Sequence, residues 1–398
     1  MKDSFANIIW NKIKEEIEIS YNSLSYLLFG LYLVSLSLFL YFNLNTSVNH
    51  DLSSIYGLFL IIFSIPLLVL NKPPIFQLKR NILTFILGII LEIIGIILCI
   101  IPNLIKTTSP ILLGVLLFFG GITLLSKLFL EETKKDSRTI EIKLVYSIIY
   151  LIAIVIGANN MFKAGLDLSI AVLIYSIPFF YLTYRCIDDI EVRRKTEVKD
   201  TIFLFKPITL ESESVLAIIL GTFTIVSGIV MIYLNTLSIN GLVSIMLLLI
   251  SVQVTFNGIT PAGIIDKRIY LYTLGFIGLI LAMISCLLPN VLTIPLTYLV
   301  AFLNILYIFQ IVDLSRMLIS HYKKLNEFKF TIPVIGMICS IIQNIIAILF
   351  GIFLINQSWI PKYIMGILLI IMGLDIILMI FLNEKNKSKE EKDTVKYF

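Results

Sequence analysis

Residues 81–129 read NILTFILGIILEIIGIILCIIPNLIKTTSPILLGVLLFFGGITLLSKLF and contain two apolar runs joined by a short turn. Each run has roughly the 20 residues that an α-helix needs to cross the hydrocarbon core of a membrane. Because the turn falls around Pro102 and Asn103, we predict that the two runs fold back on each other as a helical hairpin. A single carboxylate, Glu92, lies in the middle of the first run.

The composition of the whole chain agrees with a membrane protein. Its 398 residues are 58% hydrophobic and only 14% charged, whereas soluble domains have about 45–50% apolar and about 25% charged residues. The net charge of +5 does not indicate nucleic-acid binding, because the distribution of Lys and Arg carries the information in a membrane protein. We therefore expect the lipid bilayer, and no nucleic acid, as partner.

Similar apolar runs recur along the chain, and we predict an all-α, polytopic membrane protein with twelve transmembrane helices. The predicted spans are 22–42, 53–70, 82–101, 110–130, 143–158, 167–184, 213–235, 239–256, 270–288, 291–315, 331–355 and 362–382.

The basic residues between these spans predict the orientation. All but three of the 31 Lys and Arg residues fall at the two termini and in alternate loops; the exceptions are Lys106, Lys163 and Lys362. Cytoplasmic loops carry the excess of basic residues. We therefore predict a protein of the cell membrane with both termini in the cytoplasm.

The segments outside the spans divide the chain. Residues 1–20 have an amphipathic pattern typical of a helix on the cytoplasmic membrane surface. Residues 21–184 form a first six-helix half, 185–212 a cytoplasmic connector and 213–383 a second half. The charged tail, 384–398, is predicted to be cytoplasmic and disordered.

A repeated segment indicates that the halves are alike. Residues 88–103 read GIILEIIGIILCIIPN and residues 275–290 read GFIGLILAMISCLLPN, so glycine, cysteine, proline and asparagine coincide at an offset of 187. We predict two similar halves in the same orientation, each made of three hairpins, which gives six hairpins in all.

Glycines spaced seven residues apart predict close helix packing. Small residues at this spacing lie on one face every two turns, where helix backbones can approach each other in lipid. The helix-packing glycines are Gly88, Gly95, Gly114, Gly121, Gly221, Gly228, Gly366 and Gly373.

The glycine-spaced run, the turn after a proline and the second run with Gly-Gly (GIILCIIPNLIKTTSPILLGVLLFFGGITLL) together resemble the HdeD-like acid-resistance membrane proteins. This resemblance implies a six-span protein of three hairpins without assigned catalytic residues, and this chain is about twice as long. It implies an association with acid stress and no mechanism.

Two carboxylates lie deep in predicted spans. Glu92 is twelve residues from Arg80, and Asp375 is nine residues from Glu384, which puts both near the middle of a core about 30 Å thick. A charge there costs several kcal/mol. Each acid is therefore either a site for a proton or small cation or a neutral acid that is hydrogen-bonded to another helix. Glu92 has Leu279 as its counterpart.

No residue pattern of an enzyme or a cofactor site is visible. The four cysteines, Cys99, Cys186, Cys286 and Cys339, lie in or beside apolar runs and are interpreted as small buried residues. We expect no catalytic, cofactor or metal site. Two functions stay open: a non-catalytic HdeD-like protein concerned with envelope integrity or stress, and a transporter or channel for a proton, cation or small solute that uses Glu92 and Asp375. A homo-oligomer also stays open.

Overall fold

A computed structural model describes most of the chain. The described residues are 20–44, 52–69, 81–101, 104, 110–130, 137–162, 167–186, 210, 212–234, 238–257, 259–260, 263–264, 269–287, 289–325 and 332–395. The predicted amphipathic segment up to residue 19 and most of the connector 185–212 lie outside these residues.

The described part is helical, which confirms the predicted all-α class. Its thirteen helices are α1 (Tyr21–Leu44), α2 (Leu52–Val69), α3 (Ile82–Ile100), α4 (Pro110–Leu130), α5 (Ser137–Phe162), α6 (Leu168–Arg185), α7 (Ser212–Tyr233), α8 (Ile239–Asn257), α9 (Ile269–Leu287), α10 (Pro289–Ile305), α11 (Tyr307–Leu325), α12 (Ile332–Ile355) and α13 (Lys362–Val395). Two short strands, β1 (Ile259–Thr260) and β2 (Gly263–Ile264), pair antiparallel after α8.

Many of these helices are suited to a membrane. Among the described residues, eight helical stretches are long and apolar enough to cross a bilayer, and four shorter apolar stretches lie in α2, α4, α8 and α9. Large apolar side chains remain exposed on the outer faces of the bundle, for example Ile177 and Phe302. Apolar side chains on the outside of a bundle are expected where lipid replaces water.

The structure corrects two details of the predicted spans. The tenth span is interrupted at Leu306, where α10 ends and α11 begins. The tail beyond Glu384, predicted to be disordered, continues α13 as a helix to Val395. No Gly or Pro follows Gly373, and the Lys and Glu residues of the tail favour a helix.

The closest helix pairs follow one scheme in both parts of the chain. Among the first six helices, α1 packs on α6, α2 on α3 and α4 on α5. Among the later ones, α7 packs on α13, α8 on α9, and α10 on α12. If α10 and α11 are counted as one span, both parts pair their first helix with their sixth, the second with the third and the fourth with the fifth.

This scheme corrects the hairpin predicted for residues 81–129. Among the described residues, α3 packs chiefly on α2, and α4 packs chiefly on α5. The positions of the small residues explain why α3 packs on α2 rather than on α4. The glycines of α3 lie against α2, and Gly121 of α4 lies against α5. The faces with small residues, rather than the short turn, therefore decide which backbones approach each other.

Glycines lie at the contacts of these pairs. In α2 and α3, a Cβ atom on Gly95 would lie 2.7 Å from the carbonyl oxygen of Gly57. In α7 and α13, a Cβ atom on Gly228 would lie 2.5 Å from the carbonyl oxygen of Gly366. Such distances exclude any side chain unless a backbone moves. Two turns away along the same two helices, Gly221 of α7 and Gly373 of α13 meet in the same way.

The two parts of the chain also contact each other. Helix α3 packs on α7 and α8, and α9 packs on α1 and α2. At the end of α3, the amide of Ser238 donates a hydrogen bond to the carbonyl of Ile100, with a nitrogen–oxygen distance of 2.9 Å. Gly241, in the first turn of α8, lies against the carbonyl of Cys99. The contact of Cys99 and Ile100, at the end of α3, with Ser238 and Gly241, at the start of α8, is called the central interface below.

Candidate functional site

Glu92 is fully buried within α3. Its exposed fraction is 1%, and neither of its side-chain oxygens has a hydrogen-bond partner among the described residues. A buried polar group without a partner costs roughly 1–3 kcal/mol even when it is neutral. The structure thus places a carboxyl group at a position where it reduces stability.

The packing of α2 explains why Glu92 finds no donor there. Glu92 shares a helix face with Gly88 and Gly95, since the spacings are four and three residues. Gly88 lies against Leu68 of α2, and Gly95 lies against Ile61. The level of Glu92 on the antiparallel helix α2 therefore falls between these two residues. Ser64 lies in that interval, but its hydroxyl donates to the carbonyl of Ile61 at 2.8 Å.

Two serines in the helices packed on α3 also have no hydrogen-bond partner among the described residues. Ser227 of α7 and Ser244 of α8 are 0% and 1% exposed, and neither hydroxyl oxygen has a hydrogen-bond partner in the described part. Both helices pack on α3 and on each other. The three helices α3, α7 and α8 therefore each carry a buried polar group with unused hydrogen-bonding capacity.

Asp375, the second predicted acid, has a different environment. It is half-buried in α13, and Gln343 of α12 donates a hydrogen bond to its Oδ2 at 2.9 Å. Cys339, one turn earlier on α12, also lies beside this carboxyl group. Asp375 thus joins α12 to α13, which matches the predicted alternative of an acid hydrogen-bonded to a neighbouring helix.

The structure does not bring the two acids together. Helices α3 and α13 both pack on α7, but within the described residues they do not form a close pair with each other. Glu92 lies in α3, on the face that packs on α2, whereas Asp375 lies in the contact between α12 and α13. A site that uses both carboxyl groups at once is therefore not formed.

Other polar side chains of the second part connect helices. Asn344 donates to the side-chain oxygen of Gln310 at 3.4 Å, and Gln310 donates to the carbonyl of Thr260 at 2.8 Å. Asn240 donates to the carbonyl of Ser285 at 2.6 Å and accepts from its hydroxyl at 2.8 Å. Hydrogen bonds of this kind are a common means of joining helices in lipid.

The predicted helix-packing glycines lie at contacts wherever their surroundings are described. Gly88 and Gly95 lie against α2, Gly121 against α5, and the four glycines of α7 and α13 against one another. The surroundings of Gly114, in α4, lie outside the described residues.

One pair of residues was missed by sequence reasoning. Cys99 and Cys286, interpreted as separate buried residues, have their Sγ atoms 3.9 Å apart at the central interface. The signal was present in the sequence, because these are the cysteines that coincide at the offset of 187.

The contacts of α2 with α3 and of α8 with α9 also agree with this offset. Gly88 meets Leu68, and Gly275 meets Thr255. Residues 275 and 255 lie 187 positions after residues 88 and 68. The same two positions therefore meet in both helix pairs.

The apolar helices and the sequence comparisons together indicate a multi-pass membrane protein. A family model described as a short repeat of unknown function, DUF308, matches residues 86–157, which contain most of α3 and α5 and all of α4. This repeat is the family domain of the HdeD-like membrane proteins. No curated protein and no solved structure matches the chain.

Proposed function

We propose that the chain crosses the cell membrane twelve times, as two similar six-helix halves related by an axis along the membrane normal. The repeated pairing scheme and the equivalent contacts of Gly88 and Gly275 support this arrangement. The meeting of Cys99 with Cys286 supports an axis through the central interface. The basic residues support cytoplasmic termini.

Within this architecture, we propose that the protein is a non-enzymatic membrane protein of the HdeD-like kind that maintains the cell envelope under acid stress. The observation that carries this proposal is the match of the family repeat to residues 86–157. The hydrogen-bonded polar side chains of the second part agree with it, because they join helices rather than converge on one point.

Survival in acid tests this function. Cells of the source organism that lack the protein should survive acid exposure less well than the parent, and plasmid-borne wild-type protein should restore survival. Survival under osmotic stress serves as the comparison, since a general defect of the envelope would lower survival under both stresses. Equal acid survival with and without the protein would contradict the proposal.

Glu92 favours a second candidate function, which is transport of a proton or small cation. A carboxyl group that is 1% exposed and has no partner for either oxygen favours its neutral form or a bound cation. Ser227 and Ser244, in the two helices packed on α3, also carry buried hydroxyls without a hydrogen-bond partner among the described residues. In this candidate Asp375 has a structural role, because Gln343 already donates a hydrogen bond to its carboxyl group.

Flux across proteoliposomes tests the second candidate. Proton and sodium flux should occur with the wild-type protein and disappear with Glu92→Gln, which keeps the shape of the side chain and removes the acid. Asp375→Asn is the matched control, and it should retain flux. If Asp375→Asn abolishes flux and Glu92→Gln does not, the assignment to Glu92 is wrong.

A further inference from the structure

Cys99 and Cys286 form a pair of thiols between the two proposed halves. Their exposed fractions are 0% and 1%, and their Sγ atoms are 3.9 Å apart. Both Sγ atoms also approach one acceptor, the carbonyl oxygen of Ser54, at 3.6 Å for Cys99 and 3.8 Å for Cys286. The shared acceptor holds both sulfur atoms on the same side of the interface.

From a separation of 3.9 Å, the two Sγ atoms need only a short movement before a covalent bond can form. A disulfide has a sulfur–sulfur length of about 2.05 Å, so each sulfur would move by about 1 Å. A small rotation about the Cα–Cβ bond of each cysteine supplies such a movement. We propose that Cys99 and Cys286 are an oxidation site, at which a small hydroperoxide produces a reversible disulfide between the halves.

The reaction balances with hydrogen peroxide as the oxidant. One thiol attacks the peroxide, the O–O bond breaks, and a sulfenic acid and one water form. The second thiol then attacks the sulfenic sulfur, its proton leaves with the hydroxyl group as a second water, and the S–S bond forms. Two electrons pass from the two sulfurs to the peroxide, and a dithiol reductant reverses the change.

The location of Cys99 and Cys286 determines which oxidants can reach them. Each cysteine is the second-last residue of its helix, so the pair lies near one face of the membrane. By the proposed topology, on which this step rests, that face is the outer one, where disulfides persist more readily than in the cytoplasm. Because both thiols are buried, a protein oxidant has no access to them, whereas a small uncharged hydroperoxide can diffuse in.

The other two cysteines provide internal controls. Cys186 directly follows α6, at the end of the helix that carries the basic Arg185, and Cys339 lies within α12 beside Asp375. The cysteine–cysteine contact that the structure gives is the one between the Sγ atoms of Cys99 and Cys286. Oxidation that depends on proximity should therefore join Cys99 to Cys286 and leave the other two as thiols.

Peptide mapping of the full-length protein tests the proposal. Membranes that contain the protein are treated with hydrogen peroxide, remaining thiols are alkylated, and the digested protein is analysed without reduction. We expect a peptide with Cys99 linked to a peptide with Cys286, loss of this species after treatment with dithiothreitol, and monomer mobility on a non-reducing gel. Cys99→Ser should leave Cys286 alkylated.

Three results would overturn the proposal. They are recovery of both residues as alkylated thiols, their recovery as sulfinic or sulfonic acids without a linked peptide, and a linked species that migrates as a dimer. The measurement detects the bond itself, so its failure leaves the acid-survival and flux experiments as separate tests of function.

Discussion

Helices α3 and α9 occupy equivalent places in the two proposed halves, and one of the buried positions at which they differ holds a carboxyl group in α3 only. Helix α3 has Glu92, which is 1% exposed, and α9 has Leu279, which is 0% exposed. Both helices carry the same glycine contact and end near the same cysteine pair. An apolar residue fits the equivalent buried position of α9, and we therefore expect that the fold does not need the carboxyl group of Glu92.

The largest loss of stability is expected when Leu279 of the second half is replaced by Glu, the residue at the equivalent position of the first half. Leu279→Glu would remove a fully buried apolar side chain and bury a second carboxyl group, which we expect to reduce the free energy of unfolding by about 3–5 kcal/mol. Thermal unfolding in nanodiscs measures this loss. Leu279→Met, which nearly conserves the volume, should cost less than about 1.5 kcal/mol. Equal stability of the Glu and Met variants would contradict the comparison.

A smaller effect is expected at the central interface. Gly241 lies against the carbonyl of Cys99, whereas the equivalent position of the first half is occupied by Ser54. Gly241→Ala would push α8 away from α3, and we expect it to reduce the free energy of unfolding by about 1–3 kcal/mol. It should also reduce the yield of the bond between Cys99 and Cys286.

Gly120 provides the matched control for this substitution. A Cβ atom on Gly120 would have no neighbour within 4 Å, so Gly120→Ala should not destabilise the protein and, by helix propensity, should favour α4 slightly. If Gly241→Ala is as stable as Gly120→Ala, the central interface is not as close as described.

The smallest effect concerns the start of the sixth helix in each half. Asp167 caps α6, and hydrogen bonds from the hydroxyl and the backbone amide of Ser169 lower the pKa of this carboxyl group. In the second half, α13 starts after Pro361. A lowered pKa in the folded state stabilises the protein above the pKa of the unfolded chain, and this stabilisation is lost as the pH falls through the folded pKa.

Asp167→Ala should therefore lower the thermal unfolding midpoint slightly at neutral pH, and the difference from wild type should disappear in strong acid. Unfolding curves recorded between pH 7 and pH 2 measure this. A difference that stays constant over the whole range would show that the charge of Asp167 has no part in the cap.

The sequence predicted the helices well because each needs only a long apolar run. The third predicted span, 82–101, corresponds to α3 at Ile82–Ile100, and the fourth to α4 at Pro110–Leu130. The place of Glu92 near the middle of α3 also followed from its distance to the charged residue Arg80. The bounds of a helix and the place of a residue within it depend on residues that are close in the sequence, so a single sequence can predict them.

Packing partners could not be predicted in the same way. The turn at Pro102 indicated a pair of α3 with α4, but the glycine faces join α3 to α2. Whether Glu92 or Asp375 has a hydrogen-bond partner depends on side chains of other helices. The contact between Cys99 and Cys286 depends on how the two halves meet. No spacing within one helix contains this information.

The thermal unfolding midpoint of Glu92→Leu tests the central claim most directly. This substitution gives the first half the same residue that the second half has at the equivalent position, and it removes a buried carboxyl group that has no partner among the described residues. We expect the free energy of unfolding in nanodiscs to rise by about 1–3 kcal/mol and the midpoint to rise with it. A lower midpoint than that of the wild-type protein would contradict the account, because it would show that Glu92 stabilises the fold.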